Sequence, residues 1–294
     1  MESKPVTPER VMQMAFAFSA PLMIEAAIEH RVFDLLDQGP KTVDEVAKAG
    51  GASVRGLRGI MDALVGLEFL QRDGNRYKLA ADTQQFLVST KASFLGNVFK
   101  HMNRQLMPKW MQLNEIVRTG KPAYSVNEQG DGSAFFAQFV ESIFPMSYPA
   151  ASALGDALKL STTEKPISVL DLAAGSGVWG IALAQKSPKV RVTAVDWPNV
   201  LEVTRRVVER FKLGDRFTYS PGDLATADFG SGHQVATLGH ILHSEGERRS
   251  RELLKKTFKA LAPGGTISIG EFNPNEERTG PPQALIFAVN MLVN

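Results

Sequence analysis

The sequence predicts an α/β fold in which a doubly wound, mainly parallel sheet forms the C-terminal half and a smaller winged-helix unit precedes it. Residues 161–294 alternate short apolar runs with amphipathic helical stretches. A glycine turn at Gly175 and Gly177 follows the first apolar run, and an acid follows the second. Residues 1–90 instead combine helical patterns with one hairpin pattern. We therefore expect two domains, with a helical connector over residues 91–160 between them.

Residues 1–90 predict three helices and a hairpin. Thr7-Pro8-Glu9 offers a capping hydroxyl and a proline at the first turn, and the helical apolar pattern then continues to Gly39-Pro40. Thr42 is the expected cap of the next helix, which closes on glycine, and residues 53–70 form a third helix. The hairpin turns at Asp73-Gly74-Asn75. This order of short helix, longer helix and hairpin is that of a winged helix.

The charge of this winged helix favours dimerisation over DNA binding. Residues 1–80 contain ten Lys or Arg and eleven Asp or Glu, which leaves a net charge of −1. The helix that would enter the groove carries only Arg55 and Arg58 as cations. Because affinity for DNA comes largely from neutralising phosphates, this balance is a poor electrostatic footprint for a duplex.

The connector is rich in large apolar side chains. Each of them is first of all a candidate core residue, but so many Met and Phe also suit an adaptable pocket for a flat apolar ligand. We expect Pro145 and Pro149 to break the helix that leads into the last domain. The side chains concerned are Phe94, Phe99, Met102, Met107, Trp110, Met111, Phe135, Phe136, Phe139, Phe144, Met146 and Tyr148.

Composition excludes several classes of protein. The 294 residues are 44% hydrophobic and 22% charged, with a net charge of +2, which is typical of a globular protein with no general attraction to nucleic acid or anionic membrane. The absence of cysteine excludes disulfides, thiolate nucleophiles and cysteine metal sites. The N-terminus has no signal-peptide pattern, and no apolar run is long enough to span a bilayer. We therefore expect a cytoplasmic protein.

The alternation of apolar runs and amphipathic stretches in the last domain predicts five strands joined by helices. Such a parallel sheet has right-handed crossovers and gathers its ligands at the carboxyl ends of its strands. The predicted strands are residues 167–172, 190–196, 217–223, 234–242 and 266–272, and the helices between them are residues 178–186, 199–214 and 246–265.

The turn after the first strand predicts a nucleotide-type cofactor. Gly175, Gly177 and Gly180 also fit the dinucleotide pattern, so the glycines alone leave the cofactor open, and they also suit an ordinary tight turn. Asp171 argues against a dinucleotide, because a carboxylate beside this helix N-terminus would repel a pyrophosphate. The same carboxylate suits the ammonium group of S-adenosylmethionine. Asp196 follows the second strand about twenty residues later and is expected to accept hydrogen bonds from ribose hydroxyls.

One further acid and two histidines follow later strands. Asp223 follows the third strand and could reach an adenine amino group. His243, at the end of the fourth strand, is a candidate general base: a phenol of pKa about 10 stays protonated at neutral pH, and a neutral imidazole of pKa about 6.5 can accept its proton. A capping or structural histidine is the alternative. His240 would pair with His243 on a helix as a metal ligand, but at a strand end it would not, and no third ligand is evident.

These motifs together resemble the small-molecule O-methyltransferases that carry an N-terminal winged-helix dimerisation domain, as in plant phenolic and bacterial polyketide or pigment enzymes. The resemblance covers essentially the whole chain. It implies a class I methyltransferase fold, with S-adenosylmethionine held by Asp171, Gly175, Gly177, Asp196, Trp197, Asp223 and Leu224. It also implies that His243 is the base and that Glu271 orients it. The matching segments are residues 51–70, DLAAGSG at 171–177, AVDWPNVL at 194–201, PGDL at 221–224, ILH at 241–243 and ALAPGG at 260–265.

The chain departs from the family pattern in three places. Ser244 stands where the family has an acid after the histidine, and the acid commonly found near Gln234 is absent. The family continues beyond the position of Asn294 with two strands and a second carboxylate beside the base. We therefore interpret the chain as truncated relative to the family, with an uncovered sheet edge at the fifth strand.

The sequence therefore predicts a homodimeric methyltransferase that uses S-adenosylmethionine and no metal. Its expected acceptor is a hydroxyl of an apolar, aromatic small molecule, and neither nucleic acid nor a membrane is an expected partner. Three alternatives stay open: the same cofactor with a sulfur, nitrogen or carbon acceptor, a non-catalytic regulator that binds DNA through the winged helix, and a dehydrogenase.

Overall fold

The computed structural model describes residues 6–122, 133–134, 136–137 and 139–294. The chain divides into two compact units, Met1–Pro108 and Lys109–Asn294. This division lies within the segment expected to be the connector, residues 91–160. Phe135, one of the apolar residues of that segment, lies outside the described residues.

The first unit combines short helices with a three-stranded antiparallel sheet in the order β1–β3–β2. A π-helical segment, Met102–Leu106, and helix α8, Met107–Trp110, follow the last of its helices along the chain. The strands are β1 (Lys41–Thr42), β2 (Leu70–Asp73) and β3 (Arg76–Leu79), and the helices are α1 (Glu9–Phe16), α2 (Ser19–Glu29), α3 (Val32–Asp37), α4 (Val43–Gly50), α5 (Val54–Gly66), α6 (Ala81–Phe86) and α7 (Gly96–His101).

The local signals of the winged helix are confirmed. The Glu45 backbone N–H donates to Thr42 Oγ1 over 3.3 Å, and the Thr42 N–H donates to Glu45 Oε2 over 2.6 Å, which makes a reciprocal capping box. Helix α4 then ends at Gly51, whose φ of 65° is left-handed. The hairpin turns at Gly74 with a φ of 58° and pairs Leu70 with Leu79.

The first helical run is broken twice, whereas the pattern predicts continuity as far as Gly39. Helix α1 ends at Phe16 and α2 at Glu29, and Arg31 has a left-handed φ of 57° that no helix interior accommodates. The predicted cap at Thr7 was also wrong. Pro8 occupies the N-cap position of α1, which has no side-chain cap.

The second unit contains the five-stranded parallel sheet. The strand order is β6–β5–β4–β7–β8, so the first strand of the sheet lies at its centre. The strands are β4 (Ile167–Leu172), β5 (Val190–Asp196), β6 (Phe217–Pro221), β7 (His233–Gly239) and β8 (Leu261–Gly270), and the helices are α9 (Leu113–Thr119), α10 (Phe144–Ala157), α11 (Val178–Lys186), α12 (Pro198–Arg210), α13 (Leu242–Ala260) and α14 (Pro282–Val293).

Both faces of this sheet are covered by apolar side chains. Val169 of β4 belongs to one buried cluster, with residues of α11 and α12. Leu170 and Leu172, its neighbours on the same strand, belong to a second cluster with residues of α13. Side chains alternate between the two faces of a strand, so β4 is buried on both sides, as in a doubly wound fold. Strand β8 lies at one edge of the sheet.

Several predictions about element boundaries were wrong. The helix predicted over residues 246–265 ends at Ala260, and β8 begins at Leu261, whereas its start was predicted at residue 266. Helix α10 starts at Phe144 and continues through Pro149 to Ala157, so the prolines do not break it. Pro145 lies in the first turn, where no intrahelical N–H is needed, and Pro149 removes a single hydrogen bond. Strand β7 ends at Gly239 rather than at residue 242, because His240 takes a left-handed φ of 60°. His243 consequently lies in the first turn of α13.

Among the described residues, no single helix is both long and apolar enough to cross a membrane, although α1 and α2, bent by 41°, reach the required length and composition together.

Candidate active site

The glycine turn after β4 is built from left-handed residues. Gly175 has a φ of 57° and Gly177 a φ of 75°, and α11 starts directly after Gly177. Thr204 of α12 donates its hydroxyl to the Gly175 carbonyl over 2.7 Å. A Cβ on Gly177 would lie 3.0 Å from the Thr204 methyl group, so glycine is needed there both for conformation and for space.

Asp196 connects this turn to the end of β5. One carboxylate oxygen accepts the Gly175 N–H at 2.8 Å, and the other accepts the Trp197 N–H at 2.7 Å. Burial raises the pKa of Asp196 to about 6, although both backbone hydrogen bonds act to lower it. Each oxygen keeps a lone pair, and Asp196 lines the cavity described below. The carboxylate is therefore placed to accept further hydrogen bonds from a ligand.

Asp171 does not line the cavity, so its role is structural rather than direct contact with a ligand. Its two carboxylate oxygens accept the Thr237 hydroxyl at 2.7 Å and the Gly180 N–H at 2.9 Å. The side chain is buried, and this burial raises its pKa to about 7. The predicted direct contact between Asp171 and a cofactor ammonium is therefore not supported, and Asp171 instead joins β4, β7 and the first turn of α11.

Asp223 and Leu224, after β6, line the same cavity. Asp223 Oδ1 accepts the Ala225 N–H at 2.8 Å and lies 3.6 Å from an Arg249 guanidinium nitrogen. The loop that follows is held by Lys256, whose ammonium group donates to the carbonyls of Leu224, Ala225 and Ala227 at 2.9, 3.2 and 2.6 Å. Asp223 therefore precedes a loop whose backbone Lys256 holds in place.

His243 and Glu271 form a hydrogen-bonded pair at the cavity wall. His243 Nδ1 lies 2.7 Å from Glu271 Oε2, and the second Glu271 oxygen accepts the Leu242 N–H at 2.7 Å. Burial alone would raise the pKa of Glu271, but its hydrogen bonds to His243 and to the two backbone N–H groups hold that pKa below the usual value. Glu271 is therefore ionised at neutral pH. With Nδ1 engaged, Nε2 is the ring nitrogen left for a ligand.

The cavity lies at the carboxyl ends of β4, β5, β6 and β7. It is open to solvent, and the space between its lining atoms, counted together with the solvent in its mouth, is about 980 Å³. The described residues that line it include three carboxylates and no lysine or arginine. They are Phe136, Phe139, Val140, Ile143, Ser147, Ala173, Ala174, Gly175, Ser176, Val178, Trp179, Asp196, Trp197, Val200, Gly222, Asp223, Leu224, Gly239, His240, Ile241, His243, Ser244 and Glu245.

Sequence reasoning missed Trp179 and undervalued His240. A Cβ on Gly239 would lie 1.9 Å from Trp179 Nε1, and one on Gly270 would lie 2.8 Å from Trp179 Cζ2. The indole thus lies against the bare backbone at the ends of β7 and β8. The signal in the sequence was a glycine at the end of each of these adjacent strands, opposite a tryptophan in the glycine-turn helix.

The side chains of two other histidines, His233 and His101, form hydrogen bonds outside this cavity. His233 bonds Ser168 Oγ at 2.8 Å through Nδ1 and the Phe229 carbonyl at 2.7 Å through Nε2, and the ring of His101 bonds Gln105. Within the described part of the chain, no three His, Asp or Glu side chains are arranged to hold a metal ion.

The residues present fit an adenosyl cofactor without phosphate. Asp196 follows β5 with free lone pairs for ribose hydroxyls, and Trp197 and Leu224 provide apolar surface beside it. A pyrophosphate would meet the carboxylates of Asp196, Asp223 and Glu245, with no cation among the described lining residues. A cationic, phosphate-free cofactor such as S-adenosylmethionine meets no such repulsion.

Comparison with known proteins identifies the family to which this chain is similar. A dimerisation domain of O-methyltransferases matches residues 12–89, and an O-methyltransferase domain matches residues 110–294. The 3-hydroxy-5-methyl-1-naphthoate 3-O-methyltransferase of Streptomyces sahachiroi is 28% identical, and the match covers 92% of this chain and 79% of that protein. The tetracenomycin polyketide synthesis 8-O-methyl transferase of Streptomyces glaucescens is 27% identical over 97% of this chain and 85% of its own length.

Solved structures show the same fold. Human N-acetylserotonin methyltransferase in complex with S-adenosylmethionine aligns with a TM-score of 0.85 at 24% identity, over 100% of this chain and 88% of that one. PigF with S-adenosylhomocysteine aligns with a TM-score of 0.84 at 22% identity, over 98% and 88% of the two chains. The second domain match alone covers more than half of the sequence, and with the first it shows that this chain belongs to the O-methyltransferase family.

Proposed function

We propose that this protein transfers the methyl group of S-adenosylmethionine to a hydroxyl of an apolar, aromatic small molecule, with His243 as the general base. The observation that carries the proposal is the His243–Glu271 pair, 2.7 Å apart, at the wall of a cavity that also contains Asp196. The family supplies the cofactor and the reaction class. The roles of individual residues are our assignment.

The residues that we propose to bind the cofactor lie at the ends of β5 and β6 and in the turn after β4. Asp196 and Trp197 after β5, and Asp223 and Leu224 after β6, would hold the ribose and the adenine, and the turn at Gly175 and Gly177 would support the rest. Asp171 would act from beneath by ordering that turn. When bound, S-adenosylmethionine supplies an electrophilic methyl group on a cationic sulfur.

His243 would then remove the proton from the acceptor. Glu271 holds the Nδ1–H, so the lone pair of Nε2 is available to accept the hydroxyl proton as the acceptor oxygen bonds the methyl carbon and the carbon–sulfur bond breaks. The resulting imidazolium is stabilised by the ionised Glu271 until solvent takes the proton. The other main contribution of the protein is alignment of the acceptor oxygen with the methyl group.

The apolar side of the cavity supports an aromatic acceptor. Phe136, Phe139 and Ile143 line it opposite the polar strand ends, and Phe136 contacts Trp197 with ring centroids 6.0 Å apart. The ring of Phe287 meets His243 edge-on at 4.8 Å, with the planes at 87°. Such surfaces bind flat apolar molecules through ring contacts.

We also propose that the protein is a cytoplasmic homodimer that does not bind nucleic acid. The match to a dimerisation domain and the exposed apolar side chains of α1, including Met14 at 67% and Phe16 at 64%, support the dimer. Light scattering at micromolar concentration should give twice the chain mass, and a monomer would contradict this assembly.

Cofactor binding and acceptor chemistry can be tested separately. S-adenosylhomocysteine should raise the melting temperature and NAD should not. Radiolabelled S-adenosylmethionine, supplied with naphthol, naphthalenethiol or naphthylamine, should label the naphthol. A melting shift with NAD alone would favour a dehydrogenase, and labelling of only the thiol or the amine would replace the hydroxyl acceptor.

A further inference from the structure

His240 occupies a strained position at the end of β7. Its φ of 60° is left-handed, a conformation that histidine adopts only at a cost in energy. Its N–H donates to the Gly270 carbonyl over 2.8 Å, which fixes the backbone against β8. Strain of this kind persists where the surrounding structure holds a side chain in place, and here the side chain lines the cavity.

The imidazole of His240 lies among aromatic rings but lacks a polar partner. Its centroid is 5.1 Å from that of Phe272 and 6.4 Å from that of Trp179. Nδ1 is buried and has no hydrogen-bond partner among the described residues. Burial lowers the pKa of His240, the nearby His243 lowers it further, and Glu271 opposes both, so the ring is neutral at pH 7. A neutral imidazole offers one donor and one acceptor, and an unpaired buried N–H is costly, so the ring proton belongs on Nε2. Because Nδ1 is closed off, Nε2 is the nitrogen that can meet a ligand in the cavity.

The position of His240 in the sheet distinguishes an acceptor contact from a cofactor contact. The proposed nucleoside-binding residues follow β5 and β6, on one side of the central strand β4. His240 follows β7, on the other side, and bonds to β8.

Aromatic rings continue from His240 to the base. Phe272 stacks on Phe287 at 4.2 Å, and Phe287 contacts the ring of His243 at 4.8 Å. His240 therefore belongs to the half of the site where an acceptor hydroxyl has to meet His243.

We propose that the imidazole of His240 hydrogen bonds through Nε2 to a second oxygen substituent of the acceptor, so that the enzyme selects aromatic molecules that carry another polar oxygen near the hydroxyl to be methylated. This inference rests on the proposed function and extends it to the substrate class. His240 is thus an acceptor-binding residue that determines specificity, and His243 alone takes the proton. A site built to hydrogen bond such a group leaves its own polar atom unpaired when the group is missing.

Three small phenols test this inference. Phenol, catechol and resorcinol differ only in whether and where a second hydroxyl is present. Each is titrated by calorimetry into the protein saturated with S-adenosylhomocysteine, and KM is measured with S-adenosylmethionine. The wild-type protein should bind catechol or resorcinol roughly tenfold more tightly than phenol, as expected for one buried hydrogen bond. His240→Phe should make the affinities for the three phenols equal, and it should bind S-adenosylhomocysteine as the wild type does.

His240→Asn is the second variant, because asparagine tolerates the left-handed backbone and keeps a polar group. His240→Asn should retain part of the preference for a phenol with a second hydroxyl. It replaces His240→Phe in the test if that variant does not fold. Equal binding of the three phenols by the wild type, or binding of none of them while S-adenosylhomocysteine binds, would overturn the inference. So would a loss of S-adenosylhomocysteine affinity in the folded variants, which would make His240 a cofactor residue. Failure of the wild type to bind S-adenosylhomocysteine would instead contradict the proposed function.

Discussion

At the scale of single residues, His243 combines two environments that a general base needs. Its Nδ1 is held by Glu271 at 2.7 Å, and its ring lines a largely apolar cavity. His243→Ala should lower kcat by roughly 10²–10⁴-fold at neutral pH, the usual contribution of general-base catalysis. The affinity for S-adenosylhomocysteine should not change. The loss should shrink at high pH, where the acceptor ionises without help, and wild-type turnover at pH 7 would end the assignment.

Glu271 is a positioning residue that also contributes charge, and two substitutions separate these contributions. Glu271→Gln keeps one acceptor oxygen for the Nδ1–H of His243, which preserves the orientation of the ring. It loses the charge that stabilises the imidazolium, and its NH2 group cannot accept the Leu242 N–H. Glu271→Ala loses the charge and the acceptor for the Nδ1–H, and it leaves the Leu242 N–H without its acceptor as Glu271→Gln does. We expect kcat to fall less in Glu271→Gln than in His243→Ala, and more in Glu271→Ala than in Glu271→Gln. Equal effects of the two Glu271 substitutions would argue against the orienting role.

Asp196 is the residue on which cofactor affinity should depend most. Asp196→Ala removes a charged acceptor for the ribose and should cost about 1.5–3 kcal/mol, or about 10- to 150-fold in the Kd for S-adenosylhomocysteine. Calorimetric titration measures this. Asp215→Ala is the matched control, because Asp215 is exposed and does not line the cavity. Equal Kd values in the two variants would exclude Asp196 from the cofactor site.

At the scale of elements, Trp179 joins α11 to the ends of β7 and β8. Gly239→Ala would place a methyl group 1.9 Å from the indole nitrogen, so the ring or the strand has to move. We expect a loss of about 1–3 kcal/mol in the free energy of unfolding, as for other overpacked cores. Urea denaturation measures it.

A smaller side chain at position 179 provides the control for this clash. In a Trp179→Leu background, Gly239→Ala should cost clearly less, because the nearest ring atoms are gone. An equal cost in both backgrounds would show that the clash with Trp179 is not the cause.

At the scale of the whole molecule, the buried acids make stability depend on pH. Asp171 has a pKa of about 7 in the fold, against an ordinary value of 3.8, because burial disfavours its charge. The folded state therefore keeps a proton that the unfolded chain releases, and the free energy of unfolding should fall as pH rises from about 4 to 7. Asp196, whose pKa is raised to about 6, acts in the same direction.

Asp171→Asn should flatten this pH dependence. The amide can accept the Gly180 N–H with its oxygen and donate to Thr237 Oγ1, while that hydroxyl donates to the Leu170 carbonyl 3.5 Å away. Urea titrations at pH 4, 5.5 and 7 compare the slopes of wild type and variant. An unchanged slope would mean that Asp171 is ionised throughout this range in the folded protein.

The sequence by itself determined the fold class, the order of the elements and the family. These follow from local causes: the period of apolar residues, the capping box at Thr42, the glycines required at left-handed positions and an acid at the end of β5. The candidate base His243 was identified from its position near the end of the fourth strand and its partner Glu271 through the resemblance, and the two side chains lie within hydrogen-bond distance.

Only the tertiary structure decided where the important side chains point. Asp171 stands at a strand end, as expected, but the alternation of faces along β4 and the Thr237 hydroxyl on the adjacent strand turn it away from the cavity. Trp179 and His240 became candidates because β7 and β8 end side by side in glycines, a juxtaposition of segments about thirty residues apart that no local pattern encodes. The continuation of α10 through Pro149 likewise shows packing overriding a local preference, since the many contacts of the helix outweigh one lost hydrogen bond.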